Sequence, residues 1–151
     1  MPLDLAARAF DVLGLPWDGP PGEMSALDVH DRLLRGLPAS ALLALADRLK
    51  VLRLDEALGS AIGMSERTFQ RWKKHPPDQP LSPEVSSRLW KFAEVLNRAC
   101  EVFSTQEAAE DWMRRPALAL DGRRPVDLLA TQAGVEAVEE LIGRLKYGVF
   151  T

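Results

Sequence analysis

Cysteine is almost absent from this chain. Cys100 is the single one among 151 residues, so no internal disulfide can form. Histidine is nearly as scarce. His30 and His75 are the only two, and neither has a second His or Cys at i+3 or i+4. A zinc or iron centre therefore lacks its ligands, and neither a metal nor a cofactor is expected. No apolar run approaches the ~20 residues that a membrane-spanning helix needs. No stretch alternates with period two for long enough to suggest a sheet. There is no glycine-rich phosphate loop, no internal repeat and no low-complexity segment. The opening Met1-Pro2-Leu3-Asp4 has no basic start and meets an acid early, unlike a secretory signal. With one thiol and no such signal, a reducing cytoplasm is the expected compartment. Cys100 falls on the apolar side of a long predicted helix and reads as core filler.

What the chain does have is enough apolar matter for a core: 46% of residues are hydrophobic and 27% charged. Its length fits one or two small domains. The net charge of −3 is not that of a strongly basic nucleic-acid binder. The distribution is more telling. Residues 67–74 hold Arg67, Arg71, Lys73 and Lys74 and no acid, a window of +4. Subtracting it from the net charge of −3 leaves −7 on the remainder. A basic patch on an acidic body suits a specific, salt-sensitive DNA contact that becomes tight only in an oligomer.

The pattern is helical throughout. Leu3 to Leu15 predicts a first helix, with Leu5, Ala6, Ala9, Phe10 and Leu13 on one side. Leu27 to Leu37 predicts a second, with Leu27, Leu33, Leu34 and Leu37 as its apolar set. Ala41 to Leu49 predicts a third after Pro38. His75-Pro76-Pro77-Asp78-Gln79-Pro80 is the clearest linker. Beyond it, Ser82-Pro83-Glu84 starts a helix with a capping serine, a proline at the first position and an acid at the positive dipole end. Val85, Leu89, Phe92, Leu96, Ala99 and Phe103 recur at spacings of 4, 3, 4, 3 and 4, a seam for another helix that is read as core rather than dimer interface. Ser104-Thr105-Gln106-Glu107 has capping-box spacing and starts a helix through Trp112.

Asp55 to Lys74 has the order of a helix-turn-helix. Leu58 and Ile62 pack the first helix inward. Gly59 is small where the helices approach, and Gly63 supplies a positive φ at the turn. Met64 fills the corner, Ser65 caps the second helix, and Phe69 and Trp72 face the core. Arg67, Gln70, Arg71 and Lys74 then share an outward basic face, with Ser65 and Thr68 at its leading end. Such a face suits the major groove, where Arg reads guanine, Gln reads adenine, and Lys or a hydroxyl holds phosphate. A solvated face on an ordinary bundle helix would carry the same charges.

After the Trp112 helix, Asp121-Gly122 predicts a turn, and Pro125 opens a helix bearing Val126, Leu128 and Leu129 that Gly134 stops. Val135, Val138, Leu141, Ile142 and Leu145 mark a last helix. Gly148 suits the left-handed position just past it, leaving Val149, Phe150 and Thr151 as a tail.

This C-terminal half resembles the toxin-binding domain of the Xre/MbcA/ParS antitoxins. The residues that carry the resemblance are Ala109 and Trp112, then Leu120, Gly122 and Pro125, then Leu128, Leu129 and Thr131, then Gly134, Val138, Tyr147, Gly148 and Val149. They keep the family's order over about half the chain, from the region of Ser82 onward. One departure is the loop Pro116-Ala117-Leu118-Ala119, where family members often carry Asn or a similar polar residue. The preceding helix-turn-helix resembles that of Xre-class repressors.

The expectation is an all-α protein of two parts: residues 1–80, an Xre-like helix-turn-helix and oligomerisation domain, and residues 81–151, a toxin-binding domain. The resemblance implies an antitoxin of a type II toxin-antitoxin system, not an enzyme. Its partner would be a RES-domain toxin that consumes NAD or transfers ADP-ribose from it. The toxin-facing residues would be Trp112, Arg144, Lys146, Tyr147, Gly148, Val149 and Phe150. Arg and Lys beside aromatic rings could take the place of a dinucleotide in its pocket. The competing expectation packs Tyr147 and Phe150 on Trp112 and Leu141 within the chain. Operator DNA is the second partner, bound by at least a dimer whose interface lies on the N-terminal helices. Two other functions fit the residues: a plain repressor whose C-terminal half only dimerises, and a helical adaptor without a DNA role.

Overall fold

A computed structural model describes residues 8–16, 24–54 and 57–148. Among them the only extended pairing is one isolated bridge, Ala117 with Arg123. Everything else that is regular is helical. Residues 8–12 form α1. There follow α2 (Ala26–Arg35), α3 (Ala39–Arg48), α4 (Lys50–Leu54), a π-helical turn (Leu58–Ile62), α5 (Glu66–Lys74), α6 (Pro83–Phe103), α7 (Gln106–Arg114), 3₁₀ segments Leu118–Leu120 and Pro125–Ala130, and α8 (Gln132–Lys146). No helix among the described residues is long and apolar enough to cross a membrane.

Ala9, Phe10 and Leu13 are buried, as their spacing predicts. The helix stops earlier than the pattern does, because Gly14 turns left-handed at φ 69. Leu5 and Ala6 lie outside the described residues. The apolar set assigned to α2 is a mixture. Leu37 is buried and Leu33 half-buried, but Leu27 is 74% and Leu34 58% exposed. Val29 is the helix's own buried anchor. Ser25 and Asp28 close a capping box at its start.

The central element is α6. Ser82 accepts from the Val85 amide, and Pro83 sits where a missing N–H costs nothing. Leu89, Phe92, Leu96 and Ala99 are buried within this chain, so the seam is core. One continuous apolar cluster runs from Phe10 through Leu45 and Ile62 to Val138 and Ile142, and α6 threads it. Each of its large side chains contributes about 1.5–3 kcal/mol when fully buried.

Buried polar groups join residues far apart in sequence. Ser86 Oγ accepts from the Leu37 amide at 2.8 Å. Glu110 Oε1 accepts from the Val51 amide at 3.1 Å, capping α4 from α7. Both satisfy amides that would otherwise be orphaned, an omission costing about 1–3 kcal/mol each.

Three local expectations are corrected. Thr105, not Ser104, caps α7 and accepts from the Ala108 amide. Ser104 instead ends α6 at φ 73. Gly134 does not stop a helix. The 3₁₀ segment ends at Ala130, Thr131 caps α8, and Gly134 lies in the first turn of α8, donating to Thr131 Oγ1 at 3.0 Å. A Cβ at Gly134 would stand 1.9 Å from the Leu128 carbonyl oxygen, so the glycine is there for close approach. Gly59, by contrast, is exposed and meets nothing nearer than the Met64 oxygen at 4.0 Å. It does not mark the crossing of two helices.

Candidate DNA and toxin interfaces

The helix-turn-helix forms at the expected place, with an altered first helix. Leu58–Ile62 winds as a π-turn, closed by the Gly63 amide on the Leu58 carbonyl, which also accepts from the Met64 amide at 2.8 Å. Such wider turns are rare and often sit at functional sites. Gly63 follows at φ 82, ψ 25. Its would-be Cβ lies 2.6 Å from Arg88 Nη1, and the Arg88 guanidinium also donates to the Ala130 carbonyl at 3.4 Å. One arginine of α6 thus touches both the turn and the C-terminal half.

Ser65 caps α5, accepting from the Thr68 amide at 3.1 Å and donating to Thr68 Oγ1 at 2.9 Å. Phe69 is buried, and Trp72 packs half-buried against the core. Arg67, Gln70, Arg71 and Lys74 are all exposed, one basic face on nine residues of helix. Glu66 stands just before the basic window. Its carboxylate accepts from Gln70 Nε2 at 2.8 Å, holding the amide that would read adenine. Exchanging that contact for a base edge requires the Gln70 rotamer to turn.

The toxin-facing candidates divide. Arg144, Lys146, Tyr147 and Gly148 cluster at the end of α8. Arg144 pairs with Glu140 at 2.6 Å. Lys146 reaches Glu101 at 3.6 Å, and its Nζ lies 5.9 Å from the Tyr147 ring centroid. Gly148 turns left-handed at φ 70. Tyr147 is 77% exposed, so packing on Trp112 and Leu141 does not hold for it. Val149 and Phe150 lie outside the described residues. Trp112 is elsewhere: it stacks at a tilt on Phe103, centroids 5.4 Å apart. Glu101 and Phe103 are two positions apart on α6, about 200° around the helix, so Trp112 and the end of α8 lean on different faces.

Ion pairs fix α8 along α6. Glu139 meets Lys91 at 3.9 Å and Arg98 at 3.5 Å, and Lys91 also holds buried Glu94 at 2.6 Å. Cys100 is half-buried, and burial, then the Glu110 carboxylate, push its thiol up from its ordinary value. A protonated thiol is a poor nucleophile, in keeping with core filler.

Several residues that matter here escaped the pattern reading. Glu110, Ser86 and Arg88 act across the fold, and no local spacing marks them.

Comparison with known proteins agrees with this arrangement. The domain described as the antitoxin Xre-like helix-turn-helix matches residues 28–94, a segment that contains the Asp55–Lys74 motif. The antitoxin Xre/MbcA/ParS C-terminal toxin-binding domain matches residues 98–148. The chain is 33% identical over 131 residues to Antitoxin Xre of Yersinia enterocolitica, covering 77% of this chain and 87% of that protein. It is 27% identical over 124 residues to Antitoxin Xre of Pseudomonas putida, covering 82% and 74%. The Prs ADP-ribosylating antitoxin of a Sphingobium species is 31% identical over 87 residues, 52% of this chain and 55% of that protein. An all-α chain with this turn, this exposed α5 and these relatives belongs to the Xre/MbcA/ParS family of antitoxins.

Proposed function

We propose that this antitoxin neutralises a RES-domain toxin by occluding its NAD pocket, and represses its own operon through α5. The observation that carries the first part is the exposed Lys146–Tyr147 pair at the end of α8, inside the segment that matches a toxin-binding domain. A cation beside a free aromatic ring has the chemistry to replace a pyrophosphate and a stacked base. The relative whose name couples ADP-ribosylation with an antitoxin supports NAD chemistry in the partner. Residues 81–151 serve this role and residues 1–80 serve DNA. Arg144, Gly148, Val149 and Phe150 complete the toxin-facing set, while Trp112, stacked on Phe103 on another face, supports the domain rather than the contact. Co-expression with a RES-domain toxin tests it. The two chains should co-purify and the cellular NAD pool should survive; a toxin that stays uncomplexed and active would refute the reading.

For DNA, Arg67 and Arg71 read bases, with Gln70 beside them and Lys74, Ser65 and Thr68 toward phosphate. One α5 per chain offers few phosphate contacts on an acidic body, so the binding species is at least a dimer. The exposed Leu27 and Leu34, one heptad apart on α2, suit its interface. The double variant Arg67→Ala, Arg71→Ala should weaken operator binding by about 1–3 kcal/mol per side chain and leave toxin neutralisation intact. Gel shifts at two salt concentrations, with light scattering on the bound species, measure this. Unchanged affinity would remove α5 from the readout.

A further inference from the structure

We propose that Leu118 is a second toxin anchor, seated in an apolar socket with an acidic rim on the toxin surface. This deepens the toxin-binding reading above and rests on it. Leu118 is 96% exposed, more than Leu27, Leu34 or Tyr147. An apolar side chain so placed in a mobile loop would carry little meaning. This one is held firmly. The Ala117 amide donates to the Arg123 carbonyl at 3.0 Å, and the Leu120, Gly122 and Asp121 amides close further turns on Ala117 and Leu118. Asp121 at φ 55 and Gly122 at φ 77 make the reversal, while buried Leu120 and Pro125 pin it to the core.

The fold therefore lifts one leucine into solvent on a rigid knuckle. Ordering that loop on binding costs little, because it is already ordered. Exposed Arg115 and Arg123 flank it, and although exposed Asp121 lies 3.6 Å from Arg123 and offsets one charge, a net positive charge remains that favours an acidic group on the partner's rim. The knuckle lies inside the segment that matches the toxin-binding domain, which favours the toxin over DNA as the occupant. Leu118 is thus a buried-anchor residue of the complex and an orphan of the free protein.

The test is titration of the full chain against a purified RES-domain toxin. Leu118→Ala should raise Kd at least about tenfold and Leu118→Lys by more, while Leu118→Met stays near wild type. Thermal melts of the free proteins should coincide, since the side chain is 96% exposed among the described residues. Unchanged Kd in the Ala and Lys variants overturns the anchor and leaves toxin binding standing. Light scattering that shows Leu118→Lys dissociating the antitoxin oligomer, with Kd for toxin unchanged, also overturns it and places the socket on a second copy. A wild-type chain that binds no RES-domain toxin removes the underlying reading itself.

Discussion

Removing Lys146 to Thr151 is expected to leave a folded, helical antitoxin that no longer silences NAD consumption by its toxin. The fold should tolerate the cut. Lys146 contributes one exposed pair with Glu101, a kind of contact worth about 0–1 kcal/mol. Glu101 keeps its other partner, Arg8. Tyr147 is 77% exposed, so its loss uncovers little. The buried anchors of α8, Val135, Val138 and Ile142, all precede the cut. Neutralisation should not tolerate it, because the cation and the ring leave together. Circular dichroism melts and NAD turnover at equal toxin and antitoxin concentrations read the two halves of the expectation. A truncated chain that still neutralises would show that the end of α8 is not the plug, and that the contact lies in the Thr105–Leu120 region.

Gly134→Ala should destabilise the protein, against the rule that alanine strengthens a helix. In an open helical position the exchange gains about 1 kcal/mol. At Gly134 the added carbon would lie 1.9 Å from the Leu128 oxygen and 2.8 Å from its carbonyl carbon. Both are backbone and cannot swing aside. Relief requires α8 to move off the 3₁₀ segment, at the expense of buried Leu129 and Val135. A net loss of about 2–4 kcal/mol is expected, lowering Tm by about 4–16 °C. Gly143→Ala is the control on the same helix, where nothing stands within 4 Å. It should be neutral or mildly stabilising. Equal melting of wild type and Gly134→Ala would mean that the Leu128 loop relaxes freely.

The sequence conveys the parts of this fold that are local. Ser82-Pro83-Glu84 carries its own start signal, and Gly63 and Asp121-Gly122 carry their own turns, so each forms where its residues say. The seam of α6 is legible because its period survives for 21 residues. The reading fails where one residue serves two masters. Gly134 reads as a helix stop from its lack of a side chain. The same lack is what lets α8 start beneath a carbonyl that is distant in no pattern but close in space. Leu27 and Leu34 read as one apolar set with Leu33 and Leu37, yet the buried side of α2 is at Val29 and Leu33. The basic face of α5 is legible as charge, while the Glu66 contact that restrains Gln70 depends on rotamers. The end of α8 is legible only through resemblance, since nothing in its spacing distinguishes an exposed tyrosine from a packed one.

The hydrogen bond that Glu110 accepts from the Val51 amide joins the segment that matches a toxin-binding domain to the segment that matches a helix-turn-helix, and both share one apolar interior. Such a body is expected to open as a unit, since separating the two segments strands the Val51 amide and the Glu110 carboxylate that meets it. A protease that catches it open would then end both proposed tasks at the same moment. On the proposed function the chain would have one lifetime, not two, and relief of repression and release of the toxin would be timed by the same clock.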